Sequence, residues 1–495
     1  MGPFDKDVIT GLEYWAARTP EHPAYVGERT LTYKELWQES DAVAEFVHSR
    51  VPQEKPRSPI VVRGHKEPEM LIACIGALKA GHAYVPIDTV IPEDRAAYMT
   101  EASRAAMVLT PDQVAAITSK RPGTKGAEWR APQGDEPFYS MFTSGSTGRP
   151  KGVVVTADNV NAFLRWMLEE QHFALQSEVF LDQVSYSFDV SAMSIFPCLM
   201  TGGTLFAISK EDVAEPARLY RSLARSGVTT WVSTPSFARL CLAEKTFAQT
   251  MLPQLKRFMF CGETLAPHLA SELLRRFPGA EVWNTYGPTE TTVAVTSVRV
   301  DRELIARYDR IPLGYAKPRE AVRIVQENGA EAPAGESGEI VICGPQVSSG
   351  YLGNAELNRA VFSDTGGIRS YRTGDRGYMR DNLLFFEGRL DDQIKLHGYR
   401  IELADIEANI RELPGVQDAI VVVVKENEVP SSLVACVILA PGNADGAAGA
   451  RTLRTQLQKH LPQYMVPRTI RFFERFPETS NGKADRARLA VLVAV

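Results

Sequence analysis

Residues 141–153 read MFTSGSTGRPKGV, and this stretch gives the strongest indication of the fold. Glycines and hydroxyl side chains let a loop turn its N–H and O–H groups toward an anion, and Lys151 adds a positive charge. We therefore predict a polyphosphate-binding loop that uses Thr143, Ser144, Gly145, Ser146, Thr147, Gly148 and Lys151. The P-loop pattern G-x-x-x-x-G-K-[ST] cannot be placed here, which argues against a P-loop kinase or GTPase. The alternative is a polar hairpin or linker that binds no ligand.

Strand-like and helix-like patterns alternate along the chain before this loop. Residues 60–62 and 84–87 are short apolar runs, and residues 68–80 between them have helical periodicity. Such alternation predicts an α/β architecture with at least one largely buried sheet. Residues 113–138 are rich in lysine, glycine and proline and have little periodicity, so we predict a surface excursion or a subdomain boundary there.

The pattern changes after residue Ile394. The predicted elements are then a helix, two strands and a helix, at 403–412, 419–424, 433–439 and 451–460. Together they make a compact α+β unit. The polar stretch before Ile394 is typical of a domain boundary, so we predict a large domain at 1–390 and a small one at 391–495.

The composition is that of an ordinary globular protein. The 495 residues include 55 basic and 60 acidic ones, and the net charge of −5 argues against nucleic acid as a partner, because phosphate binding needs a concentrated positive surface. The first residues lack the pattern of a secretion signal, and the longest aliphatic run, 419–424, is too short for a transmembrane segment. The six cysteines include no C-x-x-C pair, so we predict neither disulfides nor zinc, and a cytoplasmic location.

Four motifs taken together resemble the adenylate-forming superfamily of acyl-CoA ligases, luciferases and peptide-synthetase adenylation domains. They are TSGSTGRPKG in the loop above, NTYGPTE at 284–290, YRTGD at 371–375 and NGK at 481–483. The resemblance implies layered α/β subdomains in a large N-terminal domain and a small, mobile C-terminal lid domain. It also implies a reaction in which a carboxylate attacks the α-phosphate of ATP, pyrophosphate leaves, and a thiol then takes the acyl group.

The chemistry of the second motif suggests individual roles. Glu290 is a candidate Mg²⁺ ligand, because this cation prefers carboxylate and phosphate oxygens. Tyr286 offers an aromatic face for adenine, and Asn284 an amide near the base edge. The resemblance implies that Thr289 contacts phosphate and that the ATP-binding residues of this motif are Asn284, Thr285, Tyr286, Gly287, Pro288 and Thr289. Without the resemblance, the motif is typical of an ordinary turn.

Four further positions are assigned by the resemblance. Asp375 corresponds to the ribose-binding aspartate, with Arg389 beside it, although isolated residues of these types are more often halves of surface ion pairs. Lys483 corresponds to the catalytic lysine that bridges the substrate carboxylate and the adenylate phosphate, acting with Thr289 and Glu290. An isolated lysine near a C terminus is usually solvated. Asp391 corresponds to the hinge about which the lid domain rotates.

Asp189 indicates the substrate class. A carboxylate among Phe188, Val190 and Met193 is costly to bury alone, and the ammonium group of an amino acid would compensate it. The alternative is an ion pair with a lysine or arginine from elsewhere in the fold.

Residues 185–189 and 258–263 resemble D-alanine-activating ligases within the superfamily. That resemblance implies that Cys261 narrows the substrate pocket in favour of the D-enantiomer, with Val190, Met193 and Val293 lining the same cavity. A buried cysteine is otherwise typical of core packing.

The expected activity is therefore ATP- and Mg²⁺-dependent activation of D-alanine and its transfer to the phosphopantetheine thiol of a D-alanyl carrier protein, supplied in trans, for teichoic acid D-alanylation. Such carriers are acidic, so a basic surface is expected. Its candidates, which could equally form a solvated helix face, are Arg451, Arg454, Lys459, His460 and Arg468. The alternatives are an adenylation enzyme for another small amino acid and a non-catalytic nucleotide-binding or carrier-docking module.

Overall fold

The protein folds into two compact units, which we call the large unit and the C-terminal unit. The structure is a computed structural model that describes residues 7–51, 57–120, 130–145, 147–426, 429–440, 447–477 and 484–493. The large unit comprises Met1–Asp88, Ala102–Met141 and Val153–Leu390. The C-terminal unit combines Asp391–Val495 with two earlier segments, Thr89–Glu101 and Phe142–Gly152, so it includes the glycine-rich loop. The predicted α/β class, with a large and a small unit, is confirmed.

A nine-stranded sheet in the described part of the chain forms the centre of the large unit. Its spatial order is Tyr315–Ala316, Thr296–Val300, Glu281–Tyr286, Arg257–Phe260, Thr230–Ser233, Val179–Asp182, Thr204–Ala207, Pro23–Val26 and Thr30–Thr32. The strands from Glu281–Tyr286 to Pro23–Val26 are parallel neighbours. Arg257–Phe260 and Thr230–Ser233 are buried at every position, as expected for parallel strands covered on both faces.

A second sheet contains the strands on either side of the glycine-rich loop. Its order is Gly350–Tyr351, Lys151–Thr156, Pro137–Thr143, Tyr84–Asp88, Ile60–Gly64 and Met107–Leu109. The predicted strands at 60–62 and 84–87 are confirmed, and the helix between them spans Pro68–Lys79. Because these two strands are parallel, with Gly64 opposite Asp88, their carboxyl ends meet at one edge.

A third sheet is antiparallel. It consists of Ala321–Val325, Gly338–Cys343, Ile368–Arg380 and Phe362–Thr365, with Leu383–Arg389 paired to Ile368–Arg380. The last pairing places Asp375 directly opposite Arg389.

The helices of the large unit pack against these sheets in two extended apolar cores. Their bounds are Val8–Arg18, Tyr33–His48, Pro68–Lys79, Pro111–Thr118, Ala157–Gln171, Ala192–Thr201, Lys210–Ala214, Pro216–Arg225, Pro235–Leu242, Pro267–Arg276, Arg302–Arg307 and Ala355–Val361, with 3-10 turns at Asp189–Ser191 and Thr289–Thr291. Every helix among the described residues is too short or too polar to cross a lipid bilayer.

The prediction of a surface excursion at 113–138 is wrong at both ends. Residues 113–118 complete the helix Pro111–Thr118, and Pro137 begins a strand. The helix starts at a capping box in which Thr110 accepts from the Gln113 N–H and the Gln113 side chain accepts from the Thr110 N–H. The sequence signal was therefore T-x-x-Q followed by a short helix.

The C-terminal unit has its own core and a three-stranded sheet, Val416–Glu426, Val429–Leu439 and Thr469–Phe472. Before that sheet, Gln393–Leu396 and Tyr399–Glu402 form a hairpin. The helices and the 3-10 turn are Glu93–Ala102, Leu403–Arg411, Ala447–His460, Arg486–Val493 and Gln463–Met465. The two predicted helices and two predicted strands of this region are thus confirmed, although each strand is longer than predicted.

Candidate active site

The strand Glu281–Tyr286 positions the residue predicted to contact the base. It pairs with Arg257–Phe260 on one side and Thr296–Val300 on the other, so both edges are fixed. Asn284 is buried, and its Nδ2 donates to the carbonyl oxygen of Pro312 at 2.8 Å. Its Oδ1 is buried and has no hydrogen-bond partner among the described residues. An unsatisfied buried acceptor is costly, and the exocyclic amine of adenine would satisfy it.

Asp375 lies at the centre of a buried cluster with Tyr286 and Arg389. The Tyr286 hydroxyl donates to Asp375 Oδ2 at 2.6 Å, and Arg389 Nη1 donates to Oδ1 at 2.5 Å. Burial, and then the Asp375 carboxylate, raise the pKa of the Tyr286 phenol well above its ordinary value, so the phenol remains a donor. Each carboxylate oxygen can accept a second hydrogen bond. The cluster therefore still has acceptor capacity for a pair of vicinal hydroxyls, as in a ribose.

Tyr286 is only 4 % exposed, so most of its ring packs against protein. Thr285 is another predicted ATP contact, but its hydroxyl donates a hydrogen bond to the carbonyl oxygen of Phe260 at 2.8 Å. Pro288 and Thr289 are half-buried, and they lead into the 3-10 turn Thr289–Thr291. Asn284, Thr285 and Tyr286 are thus buried residues of the motif. Pro288 and Thr289 keep part of their surface open to a ligand.

Glu290 is fully buried, and its Oε1 accepts a hydrogen bond from the Tyr351 hydroxyl at 2.6 Å. The hydroxyls of Tyr351 and Tyr371 lie 3.2 Å apart, which holds the first tyrosine in place. The described residues contain no group of three or more metal-ligating side chains. A single carboxylate nevertheless fits Mg²⁺, which takes one or two carboxylates and completes its shell with phosphate oxygens and water.

The chain after Glu290 is strained. Thr292 and Val293 have φ of 57° and 70°, in the left-handed region that β-branched residues rarely adopt. Holding a residue there costs about 1–3 kcal/mol. Gly287 packs so closely on this turn that a Cβ at its position would lie 2.7 Å from the Val293 carbonyl oxygen. Such strain persists only where the surrounding structure imposes it, and it is typical of ligand sites.

The residues predicted for the amino-acid pocket belong to one apolar core. The Cys261 thiol contacts the Val293 carbonyl oxygen at 3.6 Å, and a Cβ on the adjacent Gly262 would lie 3.8 Å from Val190. Met193 is fully buried in the same cluster. Asp189 is 9 % exposed and lies in the 3-10 turn that precedes the helix bearing Met193. The structure therefore gathers the apolar pocket residues and supplies one carboxylate on the turn beside them.

The segment carrying Asp189 is held against the strand Tyr84–Asp88 by hydrogen bonds that the sequence did not predict. Ser187 Oγ donates to the Pro86 carbonyl oxygen at 3.1 Å, and Ser185 donates to the Asp88 carboxylate. Asp88 also accepts from His65 at 2.7 Å and from Lys210 at 2.6 Å. Although burial opposes ionisation of Asp88, these hydrogen bonds and charges lower its pKa below the ordinary value. Asp88 is therefore ionised at neutral pH, and its carboxylate holds this segment in place.

Within the C-terminal unit, the glycine-rich loop contacts the hairpin formed by Gln393–Leu396 and Tyr399–Glu402. Ser144 Oγ donates to the Arg400 carbonyl oxygen at 2.9 Å and accepts from the Glu402 N–H at 3.0 Å. Lys151 Nζ lies 3.6 Å from Glu402 Oε1. The Thr143 hydroxyl is buried without a hydrogen-bond partner among the described residues. Two of the predicted phosphate contacts, Ser144 and Lys151, therefore lie against the hairpin formed by Gln393–Leu396 and Tyr399–Glu402, whereas the Thr143 hydroxyl is buried and unsatisfied.

Two positions of the loop accept only glycine, because of the space or the backbone conformation there. A Cβ at Gly145 would lie 2.2 Å from the Arg149 carbonyl oxygen, and Gly148 has a φ of 82°. Both positions therefore require glycine. Thr147 is exposed, whereas Ser146 lies outside the described residues.

Lys483, the predicted catalytic lysine, also lies outside the described residues. Arg486 in the helix that follows donates to Glu407 at 2.5 Å and to Asp392 at 3.1 Å. Asp391, the predicted hinge, is the first residue of the C-terminal unit's main segment, and its Oδ1 accepts from the Gln393 N–H at 3.1 Å.

Some side chains of the predicted basic surface contact other residues of the C-terminal unit. Arg454 is half-buried and donates to the carbonyl oxygen of Arg468, and His460 lies 3.7 Å from Asp94. The exposed members of the set are Arg451, Lys459, His460 and Arg468.

Two family models match the chain. The model for AMP-binding enzymes covers residues 12–352, and the model for the AMP-binding enzyme C-terminal domain covers residues 405–483. The D-alanine--D-alanyl carrier protein ligase of Bacillus mycoides (strain KBAB4) is 45 % identical over 502 residues, with 97 % of this chain and 98 % of the relative covered. The enzyme of the same name from Bacillus cereus (strain B4264) is 44 % identical over 502 residues, with the same shares covered.

Solved structures share the fold. An adenylation domain from Vibrio cholerae, in complex with glycyl-adenosine-5'-phosphate, has a TM-score of 0.82 at 23 % identity and covers 98 % of this chain and 97 % of its own. An NRPS protein containing adenylation and PCP domains, bound to a vinylsulfonamide inhibitor, has a TM-score of 0.81 at 26 % identity, with 98 % and 84 % covered. The architecture is therefore that of the adenylate-forming enzymes.

Proposed function

Because the chain belongs to the AMP-binding enzyme family, we propose that it is a D-alanine–D-alanyl carrier protein ligase. In the first step a carboxylate oxygen of D-alanine attacks the α-phosphorus of ATP, the bond to the β-phosphate breaks, and pyrophosphate leaves. In the second step the sulfur of a carrier-bound phosphopantetheine attacks the acyl carbon, AMP leaves, and the thiol proton passes to solvent. The observation that carries this proposal is the 44–45 % identity to ligases of this name over nearly the full chain.

The nucleotide-binding groups of the large unit support an ATP-dependent reaction. The unsatisfied Asn284 Oδ1 is an acceptor suited to adenine, and the Asp375 carboxylate is an acceptor suited to the ribose hydroxyls. Adenosine binding at these groups would orient the α-phosphate. Mg²⁺, held by Glu290, would neutralise phosphate charge when bound.

The pocket supports a small amino acid as substrate. Asp189 supplies a carboxylate for an ammonium group, and the apolar residues around it, Val190, Met193, Cys261 and Val293, are all at most 9 % exposed. The carboxylate supports an amino acid as substrate, and its short side chain is assigned from the ligases that the chain resembles. The D-configuration is assigned from the relatives, together with the cysteine at position 261.

Two residues of the C-terminal unit, Lys483 and Asp391, have proposed roles in the reaction. Lys483 would bridge the substrate carboxylate and the α-phosphate in the first step, because two anions must approach each other there. Rotation about Asp391 would then give the carrier thiol access to the acyl-adenylate. Exposed cations on this unit would attract an acidic D-alanyl carrier protein in the cytoplasm, and the charged carrier would serve teichoic acid D-alanylation.

The direct test is ATP–pyrophosphate exchange with D-alanine, L-alanine, glycine and L-serine, followed by loading of a phosphopantetheinylated carrier. We expect D-alanine to give the highest kcat/KM, and its acyl group to appear as a thioester. Preference for another small amino acid would establish the first alternative. No exchange with any of them, combined with measurable ATP binding, would establish a non-catalytic nucleotide-binding or carrier-docking module.

A further inference from the structure

The strained turn at Thr292–Val293 forms part of the pocket wall, and a buried polar network holds it. Thr292 Oγ1 donates to the Gln346 carbonyl oxygen at 2.8 Å. The next residue but one, Ala294, receives two hydrogen bonds on its carbonyl oxygen, from Lys317 Nζ at 2.5 Å and from Gln346 Nε2 at 3.4 Å. Hydrogen bonds therefore fix the turn on both sides of Val293.

Lys317 is an unusual residue for this task. It is 4 % exposed, and among the described residues its ammonium group donates to the uncharged Ala294 carbonyl oxygen and forms no ion pair with a carboxylate. The group instead lies 4.6 Å from the Trp166 ring and 5.6 Å from the Phe163 ring, where cation–π attraction partly replaces hydration. Burial lowers the pKa of Lys317 to about 7, opposed by the more distant Glu320 and Glu170. A buried cation is costly, so its presence beside a strained turn calls for a functional reason.

Gln346 connects the lysine to the rest of the network. It is fully buried, and its N–H donates to Glu320 Oε1 at 3.1 Å. The Lys317 N–H donates to the Val295 carbonyl oxygen at 3.1 Å, so backbone as well as side chain of Lys317 contacts the segment that follows Val293. The position of Val293, and of its carbonyl oxygen against Cys261, thus depends on Lys317 and Gln346 together.

We propose that Lys317 is a positioning residue that holds the left-handed turn at Thr292–Val293 and thereby sets the selectivity of the amino-acid pocket. It contacts neither the amino acid nor ATP in this role; it acts through the Ala294 carbonyl oxygen on Val293 and Cys261. The inference rests on the proposed function, because it takes the pocket to be the amino-acid site. It adds a determinant of substrate choice that lies outside the pocket lining.

The test compares Lys317→Met with a matched control, Lys79→Met. Lys79 is also a buried lysine, with a pKa that burial lowers to about 7 and with a cation–π contact at 3.2 Å to Trp37. Unlike Lys317 it pairs with a carboxylate, that of Asp41 at 2.8 Å, and its side-chain partners lie in the helix Tyr33–His48, which contains none of the pocket residues. Both variants lose a buried ammonium, so a general loss of stability affects both. Each variant is assayed by pyrophosphate exchange for KM of D-alanine, KM of ATP and the ratio of kcat/KM for D-alanine to that for L-alanine.

We expect Lys317→Met to raise KM for D-alanine about tenfold and to lower the D/L ratio by a similar factor, with KM for ATP changed less than about twofold. Lys317→Arg, which retains a cationic donor, should restore part of both losses. Lys79→Met should lower Tm while leaving the D/L ratio unchanged. Equal effects of the two methionine variants on the ratio, or a wild-type ratio in Lys317→Met, would overturn the inference.

A milder variant covers the case in which Lys317→Met does not fold. Gln346→Met removes the second donor to the Ala294 carbonyl oxygen and keeps the backbone contacts of residue 346, so the same shift in the D/L ratio, at smaller size, is expected. Assays of the wild-type enzyme distinguish a failure of the proposed function from a failure of the role of Lys317. Absence of exchange with every small amino acid would refute the proposed function, whereas normal wild-type exchange with unaffected selectivity in all variants would refute the role of Lys317 alone.

Discussion

The hydroxyl of Tyr286 donates a hydrogen bond to the carboxylate of Asp375 at 2.6 Å, across 89 residues of sequence. The contact connects the end of the strand Glu281–Tyr286 with the middle of the strand Ile368–Arg380, which belong to different sheets. Arg389 occupies the other oxygen of the same carboxylate. The geometry of the proposed ribose site is therefore fixed by protein contacts before any ribose hydroxyl arrives.

Replacing Asp375 by asparagine should weaken ATP binding. The substitution removes the charge that Arg389 neutralises and one of the acceptors for the ribose, and each hydrogen bond to a charged group contributes about 1.5–3 kcal/mol. We expect KM for ATP in pyrophosphate exchange to rise roughly 10- to 100-fold, with KM for the amino acid little changed. Tyr286→Phe, which removes only the second donor to Asp375, should raise it about tenfold or less. A larger effect of Tyr286→Phe would place the ribose contact on the tyrosine instead.

Lys483→Ala should abolish adenylation while comparatively sparing ATP binding. If this lysine compensates charge as carboxylate and phosphate meet, its loss should lower the exchange rate by about 10²–10³, the cost of removing one preorganised transition-state donor. Binding of ATP, measured by calorimetry or by a fluorescent analogue, should change by less than about threefold. An unchanged exchange rate would remove Lys483 from the mechanism.

Asp189→Asn should act on the amino acid and not on the nucleotide. The amide keeps the size of the side chain but loses the charge that would pair with an ammonium group, so KM for D-alanine should rise about 10-fold or more. KM for ATP serves as the internal control. A parallel rise of both constants would mean that the substitution disturbs the fold of the segment anchored by Ser185 and Ser187.

Glu402→Gln should strengthen ATP binding. Glu402 lies 3.6 Å from Lys151, one of the predicted phosphate contacts, so its charge competes with phosphate for that lysine. Glu402 is buried and Lys151 is half-buried, so water screens this pair less than a surface ion pair. Removing the competing charge is worth about 1 kcal/mol, which corresponds to roughly a fivefold lower KM for ATP. Glu272→Gln, which removes a carboxylate paired with Arg275 and Arg276 in a helix of the large unit, is the control and should leave KM unchanged.

The pH dependence of stability should reveal the buried lysines. Burial lowers the pKa of Lys79 to about 7, opposed by Asp41, from the ordinary 10.5 that it has in the unfolded chain. Between these values the unfolded state binds more protons, so the free energy of unfolding should rise with pH, and below pH 7 this contribution should be constant. Urea unfolding at pH 7 and pH 9 should therefore show a smaller rise in Lys79→Met than in the wild type. Equal rises would show that Lys79 titrates at its ordinary pKa.

Local patterns allowed much of the fold to be predicted from the sequence. The strands near residues 60 and 84 and the elements after residue 400 follow from hydrophobic periodicity, which is a property of neighbouring residues. The short helix Pro111–Thr118 was missed because its capping box was not recognised and its apolar face is weak.

The candidate site was only partly predictable. Motifs could indicate Asn284, Asp375 and Arg389, but the anchor at Asp88 depends on partners 23, 97 and 122 residues away in sequence. The left-handed turn at Thr292–Val293 contradicts the local preference of β-branched residues, so propensity alone predicts the wrong backbone there. Long-range hydrogen bonds override that preference.

The eleven residues from Asn284 to Ala294 begin with the proposed base contact and end at the strained wall of the amino-acid pocket. Both substrates would thus be bound by one uninterrupted piece of backbone that hydrogen bonds already hold at both ends. Neither ligand has to order this segment for the other, so the affinities for nucleotide and amino acid should be nearly independent of the order of addition.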